Sequence, residues 1–280
     1  MKRVRKLLGV VVVALGVVLG GCSSGTSAIE ESAEKEPPQE INIYFTRHGK
    51  TMLNTADRSQ GWSDAPLTPS GIEVAEDVGK GIGKKITFDK VYSSDSGRAI
   101  ETAELILENA GQKAEITKDK RLREFNFGTF EGMPGKEVQK LVAESNGQTL
   151  EDAYSSMEND GFIKYIQGFS DDLAKLDKDQ VEEGVNWPAE NYQAVTNRAM
   201  KALDQIVDDA KKNGDDSILI VSHGMTIVSM LNEIDPEVSE KVPSSGLKNA
   251  SISKVTYKNG KTTIKSVNDL SFAEKGSKIK

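Results

Sequence analysis

Residues 41–49 read INIYFTRHG, and residues 216–224 read DSILIVSHG. In both stretches a run of aliphatic, β-branched or aromatic residues is followed by a His-Gly pair. Such apolar runs are typical of strands that are buried on both faces of a parallel sheet. Ligands of these sheets bind beyond the carboxyl ends of the strands. The two stretches therefore predict neighbouring strands that place His48 and His223 at one site.

Strand and helix patterns alternate along most of the remaining chain. Thr68 followed by Pro69 is a typical helix start, and Asn259-Gly260 predicts a tight hairpin. Further strands are expected at 90–93, 114–117, 251–257 and 262–267, and helices at 69–84, 96–109 and 190–212. This alternation predicts an α/β fold, a three-layer α/β/α sandwich with a mostly parallel central sheet.

The segment 133–188 interrupts this alternation. It is polar and helix-prone and contains no convincing strand pattern. We interpret it as an inserted helical cap over the site. A cap in this place would determine which substrate the protein accepts.

The N-terminal stretch has the features of an export signal. Four basic residues between positions 2 and 6 precede an uncharged run at 7–21. That run is shorter than the ~20 residues of a membrane-spanning helix, so residues 1–21 are predicted to be a signal peptide. Cys22, the only cysteine of the chain, follows two glycines and resembles the lipidation site of bacterial lipoproteins. An ordinary signal peptide with an incidental cysteine is the alternative.

The composition limits the partners of the mature chain. The chain has 36 basic and 43 acidic residues, and removal of the basic leader makes it more acidic still. Such a surface repels nucleic acid and anionic membranes, so the lipid on Cys22 is the only membrane contact that we expect. Residues 22–40, rich in Ser, Glu, Lys and Pro, are predicted to be a disordered tether, and residues 41–280 to be the folded domain.

The chain contains only two histidines, and each precedes glycine at the end of a predicted strand. A zinc site typically needs about three or four ligands at recognisable spacings, and the sequence has neither HExxH nor HxH. Arg47 adjoins His48, and a guanidinium repels a metal cation but attracts an oxyanion. The pattern favours phosphate chemistry without a metal or cofactor, with neutral imidazole as a possible nucleophile.

Five blocks of sequence resemble the phosphoglycerate mutase-like branch of the histidine phosphatase superfamily. Arg47-His48-Gly49-Lys50-Thr51 with Asn54 matches the RHGxTxxN signature, and further blocks follow in the family's order at 60–71, 93–102, 122–132 and 221–224. The acid phosphatase branch fits less well, because its signature places Arg and Pro after RHG, where this chain has Lys50-Thr51.

The resemblance implies a role for each of a few residues. His48 would attack phosphorus and become a phosphohistidine. Glu124 would protonate the leaving alkoxide and later deprotonate the attacking water. His223 would be charged in the complex, and Gln60 and Gly61 would serve either the substrate or only the shape of the loop. The residues implied to hold the phosphate are Arg47, Asn54, Gln60, Gly61, Arg98 and His223.

The sequence as a whole predicts a metal-independent phosphomonoesterase, anchored outside the cytoplasmic membrane, that acts on a small phosphate ester or a phosphopeptide. A phosphoglycerate mutase is one alternative, although glycolytic intermediates belong to the cytoplasm. A non-catalytic lipoprotein that captures phosphate-bearing ligands is another. Binding alone would require neither the nucleophile His48 nor the proton donor Glu124.

Overall fold

The computed structural model of the chain describes residues 40–279. The predicted signal peptide, Cys22 and residues 22–39 of the predicted tether lie outside the described residues. Within the described part, no helix is both long enough and apolar enough to cross a membrane.

The described residues form a six-stranded central sheet. Its order is β3-β2-β4-β1-β5-β6, and β5 is antiparallel to both of its neighbours while the other three pairings are parallel. The predicted α/β fold with a mostly parallel sheet is thus confirmed. The strands are β1 (Ile41–Arg47), β2 (Lys90–Ser93), β3 (Ile116–Lys118), β4 (Ser217–Ser222), β5 (Ile252–Lys258) and β6 (Lys261–Asp269).

Helices cover both faces of this sheet. Alternate side chains of the two central strands enter opposite apolar clusters: Ile43 and Phe45 pack with α7 and α8, whereas Tyr44 packs with α2 and α3. Each fully buried side chain of this kind contributes about 2 kcal/mol through the hydrophobic effect. The helices are α1 (Met52–Thr55), α2 (Pro69–Ile82), α3 (Gly97–Asn109), α4 (Gly135–Ser145), α5 (Leu150–Asp160), α6 (Phe162–Asp177), α7 (Tyr192–Asn213), α8 (Gly224–Ile234) and α9 (Ser271–Gly276).

Local capping explains where several elements begin and end. Thr68 accepts a hydrogen bond from the Gly71 amide at the start of α2, as its sequence predicts. The helix ends two residues earlier than predicted, because Gly83 adopts a positive φ of 48°. Asn259 and Gly260 both have positive φ angles, 50° and 79°, which is the conformation of the predicted tight hairpin turn.

The segment predicted as a cap, 133–188, contains α4, α5 and α6. Buried Asp177 at the end of α6 connects this segment to the loop at 127–131. One of its carboxylate oxygens accepts hydrogen bonds from the Thr129 amide at 2.9 Å and the Thr129 hydroxyl at 2.5 Å, and the other accepts from the Ala189 amide at 2.7 Å. Asp177 therefore fixes the position of α6 relative to the sheet.

We expect Asp177→Ala to lower the free energy of unfolding by about 2 kcal/mol, because it leaves the partly buried amides of Thr129 and Ala189 without their acceptor. Urea denaturation of the domain measures this change. Exposed Asp179 on the same segment is the control, and its replacement by Ala should change stability by less than about 0.5 kcal/mol. Equal effects of the two substitutions would contradict the role given to Asp177.

Candidate active site

The two histidines lie side by side at the carboxyl ends of β1 and β4. These strands are parallel neighbours with Arg47 opposite Ser222, and the His48 amide donates to the Ser222 carbonyl at 3.0 Å. The ring centroids of His48 and His223 are 5.2 Å apart, and both side chains are buried. The structure thus places the two imidazoles where one bound group can contact both.

One hydrogen bond determines which nitrogen of His48 is free. Its Nδ1 lies 2.8 Å from the carbonyl oxygen of Gly49, and since a carbonyl can only accept, Nδ1 must be the donor. The neutral ring therefore carries its lone pair on Nε2. Burial, followed by the charges of Arg98 and Arg47, holds the pKa of His48 well below its usual range, so the nucleophilic form persists in mildly acidic solution.

The opposite tautomer holds for His223. Its Nδ1 lies 2.9 Å from Nη2 of Arg98, and since a guanidinium can only donate, Nδ1 accepts. The proton of the neutral ring is then on Nε2, which is buried and has no partner among the described residues. Burial and the Arg98 charge keep the pKa of His223 well below its usual range. His223 was expected to be charged when phosphate is bound. The contacts described above, in the absence of phosphate, are those of a neutral ring.

Arg98 is almost completely buried, with 1% of its surface exposed. Besides His223, its guanidinium donates to the Gly61 carbonyl at 2.7 Å, the Ser63 carbonyl at 3.0 Å and the Asp64 carboxylate at 2.9 Å. Arg98 therefore does not lie on a solvated surface of α3. Arg98 fastens the loop at 61–64 to the end of β4.

Several buried donors around the histidines have no acceptor in the described part of the chain. They are Nε of Arg47, Nε of Arg98, Nε2 of Gln60 and Nε2 of His223. An unsatisfied buried donor costs about 1–3 kcal/mol, so such a cluster is unusual unless an anion fills it. Burial and the neighbouring Arg98 charge lower the pKa of Arg47, which remains a cation because arginine is always protonated in proteins.

The structure gives different roles to Asn54, Gln60 and Gly61. The Gln60 carbonyl oxygen accepts from Thr51 Oγ1 at 2.6 Å and Asn54 Nδ2 at 3.4 Å, which leaves the Gln60 amide nitrogen as a donor. Gly61 uses its amide for Glu131 and its carbonyl for Arg98. A Cβ at Gly61 would lie 2.0 Å from the Phe125 carbonyl oxygen. The backbone of Gly61 is therefore committed to shaping the loop, and only the first two residues retain polar groups at the cavity.

Glu124 is held at the N-terminus of α8. One carboxylate oxygen accepts from the Phe125 amide at 3.1 Å and the Thr226 amide at 3.0 Å, and the other from the Met225 amide at 3.1 Å. Amides at a helix N-terminus favour such an acidic group. The carboxyl group lines a cavity of about 380 Å³ together with Arg47, Asn54 and Gln60. The structure thus brings the predicted proton donor to the edge of the donor cluster.

Two charged residues that position the site were not predicted from the sequence as site residues. Arg198 on α7 donates to the carbonyls of Arg121, Arg123 and Glu124. Glu131 accepts from the amides of Gly61, Trp62, Ser63 and Phe127. The only sequence signals were an arginine within the amphipathic pattern of α7 and the glutamate of the fourth block.

In residues 40–279, no three or more His, Cys, Asp or Glu side chains lie close enough together to hold a metal ion. The positive charge at the site is supplied by Arg47 and Arg98.

Fold and site together define an α/β protein with a buried, donor-rich pocket beside a free imidazole nitrogen. The chain belongs to the histidine phosphatase superfamily (branch 1), whose family model matches residues 43–161 and 151–270. The predicted family is thereby confirmed, and it supports an enzyme that transfers or hydrolyses phosphoryl groups.

Individual relatives agree with this assignment. The chain is 30% identical over 221 residues to the "Probable phosphoglycerate mutase GpmB" of Proteus mirabilis (strain HI4320), covering 78% of this chain and 86% of that protein. It is 29% identical over 209 residues to the "Phosphoglycerate mutase-like protein 4" of Arabidopsis thaliana, covering 74% and 77%. The crystal structure of phosphoglycerate mutase from Bacillus anthracis str. Sterne superposes with a TM-score of 0.76 at 36% identity, over 86% of this chain and 99% of that one.

The lowered pKa of both histidines makes stability depend on pH. Below pH ~6.5 the unfolded chain binds protons on both imidazoles while the folded chain does not, so the free energy of unfolding falls as pH falls. Between pH 7.5 and 5.5 we expect a loss of roughly 1 kcal/mol per imidazole, measurable by urea denaturation. His48→Gln should remove about half of this pH dependence, and an unchanged dependence in that variant would contradict it.

Proposed function

We propose that the protein is a metal-independent phosphomonoesterase that works through a phosphohistidine on His48. The observation that carries this proposal is the free Nε2 of His48 next to four buried donors without acceptors. A phosphoryl group that receives those donors would present its phosphorus to Nε2. Two guanidinium groups would then stabilise the charge that spreads over the phosphoryl oxygens in the transition state.

The first step forms a bond between Nε2 of His48 and phosphorus and breaks the bond to the ester oxygen. That oxygen takes a proton from Glu124 and leaves as an alcohol. The hydrogen bond from Nδ1 to the Gly49 carbonyl stabilises the positive charge that develops on the phosphorylated ring. Water then attacks phosphorus, Glu124 takes its proton, and the bond to Nε2 breaks to release inorganic phosphate.

The first step of this scheme predicts a dependence on the leaving group. Glu124→Gln should lower kcat/KM about 10²- to 10⁴-fold on an alkyl phosphate, because an alkoxide needs the proton. The loss should be much smaller on 4-nitrophenyl phosphate, since nitrophenolate leaves without one. Exposed Glu115→Gln is the control and should behave like the wild type.

His48→Ala should lose activity on both substrates, and acid-labile phosphate should be trapped on the wild-type protein alone. Full activity of His48→Ala on 4-nitrophenyl phosphate would end the proposal of a phosphohistidine. Tight phosphate binding by the wild type without any turnover would favour the alternative of a binding protein.

A mutase is the second candidate, because the chain is 36% identical to a solved phosphoglycerate mutase over nearly all of that structure. In a mutase the phosphohistidine passes its phosphoryl group to a hydroxyl of the substrate and not to water. Incubation with 3-phosphoglycerate separates the two activities. Release of inorganic phosphate supports the hydrolase, and conversion to 2-phosphoglycerate supports the mutase.

We also propose that the mature protein is anchored to the outer face of the cytoplasmic membrane through a lipid on Cys22. The proposal is supported by the basic start, the uncharged run at 7–21 and the glycines before the cysteine. In a bacterial host that processes lipoproteins, the full chain should fractionate with membranes and incorporate labelled fatty acid. Cys22→Ser should do neither, and membrane association of this variant equal to the wild type would contradict the anchor.

A further inference from the structure

We propose that the cavity beside the phosphate pocket binds an uncharged apolar or aromatic leaving group, so that the preferred substrates are monophosphates of apolar alcohols. This proposal rests on the proposed hydrolase function and specifies its substrate class. The cavity of about 380 Å³ extends from Arg47 and Glu124 to the cap helix α6. A phosphoryl group held at the first end would therefore direct its ester oxygen and leaving group toward the second.

The cap helix presents an aromatic face to this cavity. Phe162, Tyr165 and Phe169 recur at helical spacing along α6, line the cavity and are only partly buried. The ring centroids are 6.4 Å apart for Phe162 and Tyr165, and 5.8 Å apart for Tyr165 and Phe169. Phe127, from outside the cap, meets Phe169 edge to face at 6.2 Å. Four rings thus form one continuous wall.

This wall is not required to complete the core under α6. The helix already buries Ile163, Ile166 and Leu173, which lie on the face that packs against the rest of the domain. The partly exposed rings retain apolar surface that an apolar ligand would remove from water. The rings also pack against the core, so it is their remaining exposed surface that a ligand would cover.

The charges around the cavity point to an uncharged leaving group. Away from the phosphate pocket, the charged side chains that line it are Asp57 and Arg58, which have opposite signs. Arg58 already donates to the Gly132 carbonyl at 2.7 Å, and no lysine lines the described part of this cavity. Burial raises the pKa of Tyr165 to about 12, so its phenol stays neutral. A carboxylate on the leaving group would find little compensation here.

The test is a series of n-alkyl monophosphates from ethyl to hexyl phosphate. Their leaving groups are almost equally acidic. Differences in kcat/KM therefore report how well the alkyl chain of the substrate binds and not how easily the ester bond breaks. Burial of a methylene group predicts a rise of about two- to fourfold per added carbon until the cavity is filled. Benzyl phosphate should be hydrolysed more efficiently than 3-phosphoglycerate, which carries a carboxylate.

Matched variants test whether residues of the cap cause the dependence of kcat/KM on the length of the alkyl chain. Phe169→Ala should flatten the dependence on chain length, whereas the conservative Phe169→Leu should retain most of it, because leucine keeps an apolar surface at this position. Inhibition by inorganic phosphate should stay unchanged in both variants. Leu141→Ala is the control, because Leu141 is an exposed apolar residue of the cap helix α4 and does not line the cavity.

The outcomes separate this proposal from the proposed function. If all esters are hydrolysed with no dependence on chain length, or if 3-phosphoglycerate is preferred, the leaving-group proposal is wrong and the hydrolase stands. If no ester is hydrolysed, both are wrong. A steep dependence that Phe169→Ala leaves intact would also overturn the assignment, because the apolar contact would then lie elsewhere.

Discussion

The site depends on a guanidinium that is buried within the fold. Arg98 can only donate hydrogen bonds, and its acceptors come from the loop at 61–64 and from His223 at the end of β4. Since Nδ1 of His223 must accept from it, the remaining proton of that ring is confined to Nε2. Arg98 therefore fixes the loop at 61–64 and the tautomer of His223. Through that tautomer it also determines that Nε2 of His223 is a donor. Lysine could not replace it, because a compact ammonium lacks the planar fork that reaches several acceptors at once.

Backbone amides determine the position of the Glu124 carboxyl group. Glu124 follows a short 3₁₀ turn, and the amides of Met225 and Thr226 at the start of α8 help to hold its side chain. That helix begins immediately after His223, so the imidazole and the carboxyl group share one element as their support. Arg198 holds the carbonyls on the other side of Glu124. The distance between nucleophile and carboxyl group is thus set by a strand end and a helix start, which are rigid parts of the fold.

The sequence predicted the parts of the site that follow from local pattern, and it failed where packing decides. His48 and His223 could be paired because both follow buried strands, and parallel neighbours end at the same edge of a sheet. The helix start at Thr68 was equally predictable from its capping chemistry. The aromatic wall was not, since Phe162, Tyr165 and Phe169 are spaced as a buried helix face would be. Only the docking of α6, through Ile163 and Asp177, shows that a different face is buried and that the rings line a cavity.

The free site stores unfavourable energy that an anion would release. Arg47 and Arg98 repel each other, and both guanidinium groups are buried with an Nε that has no acceptor among residues 40–279. In the proposed reaction the same donors would gain hydrogen bonds when a phosphoryl group enters, and the gain would be largest when negative charge spreads over its oxygens. The cost of burying these donors and the proposed affinity for a transition state would therefore have one physical cause.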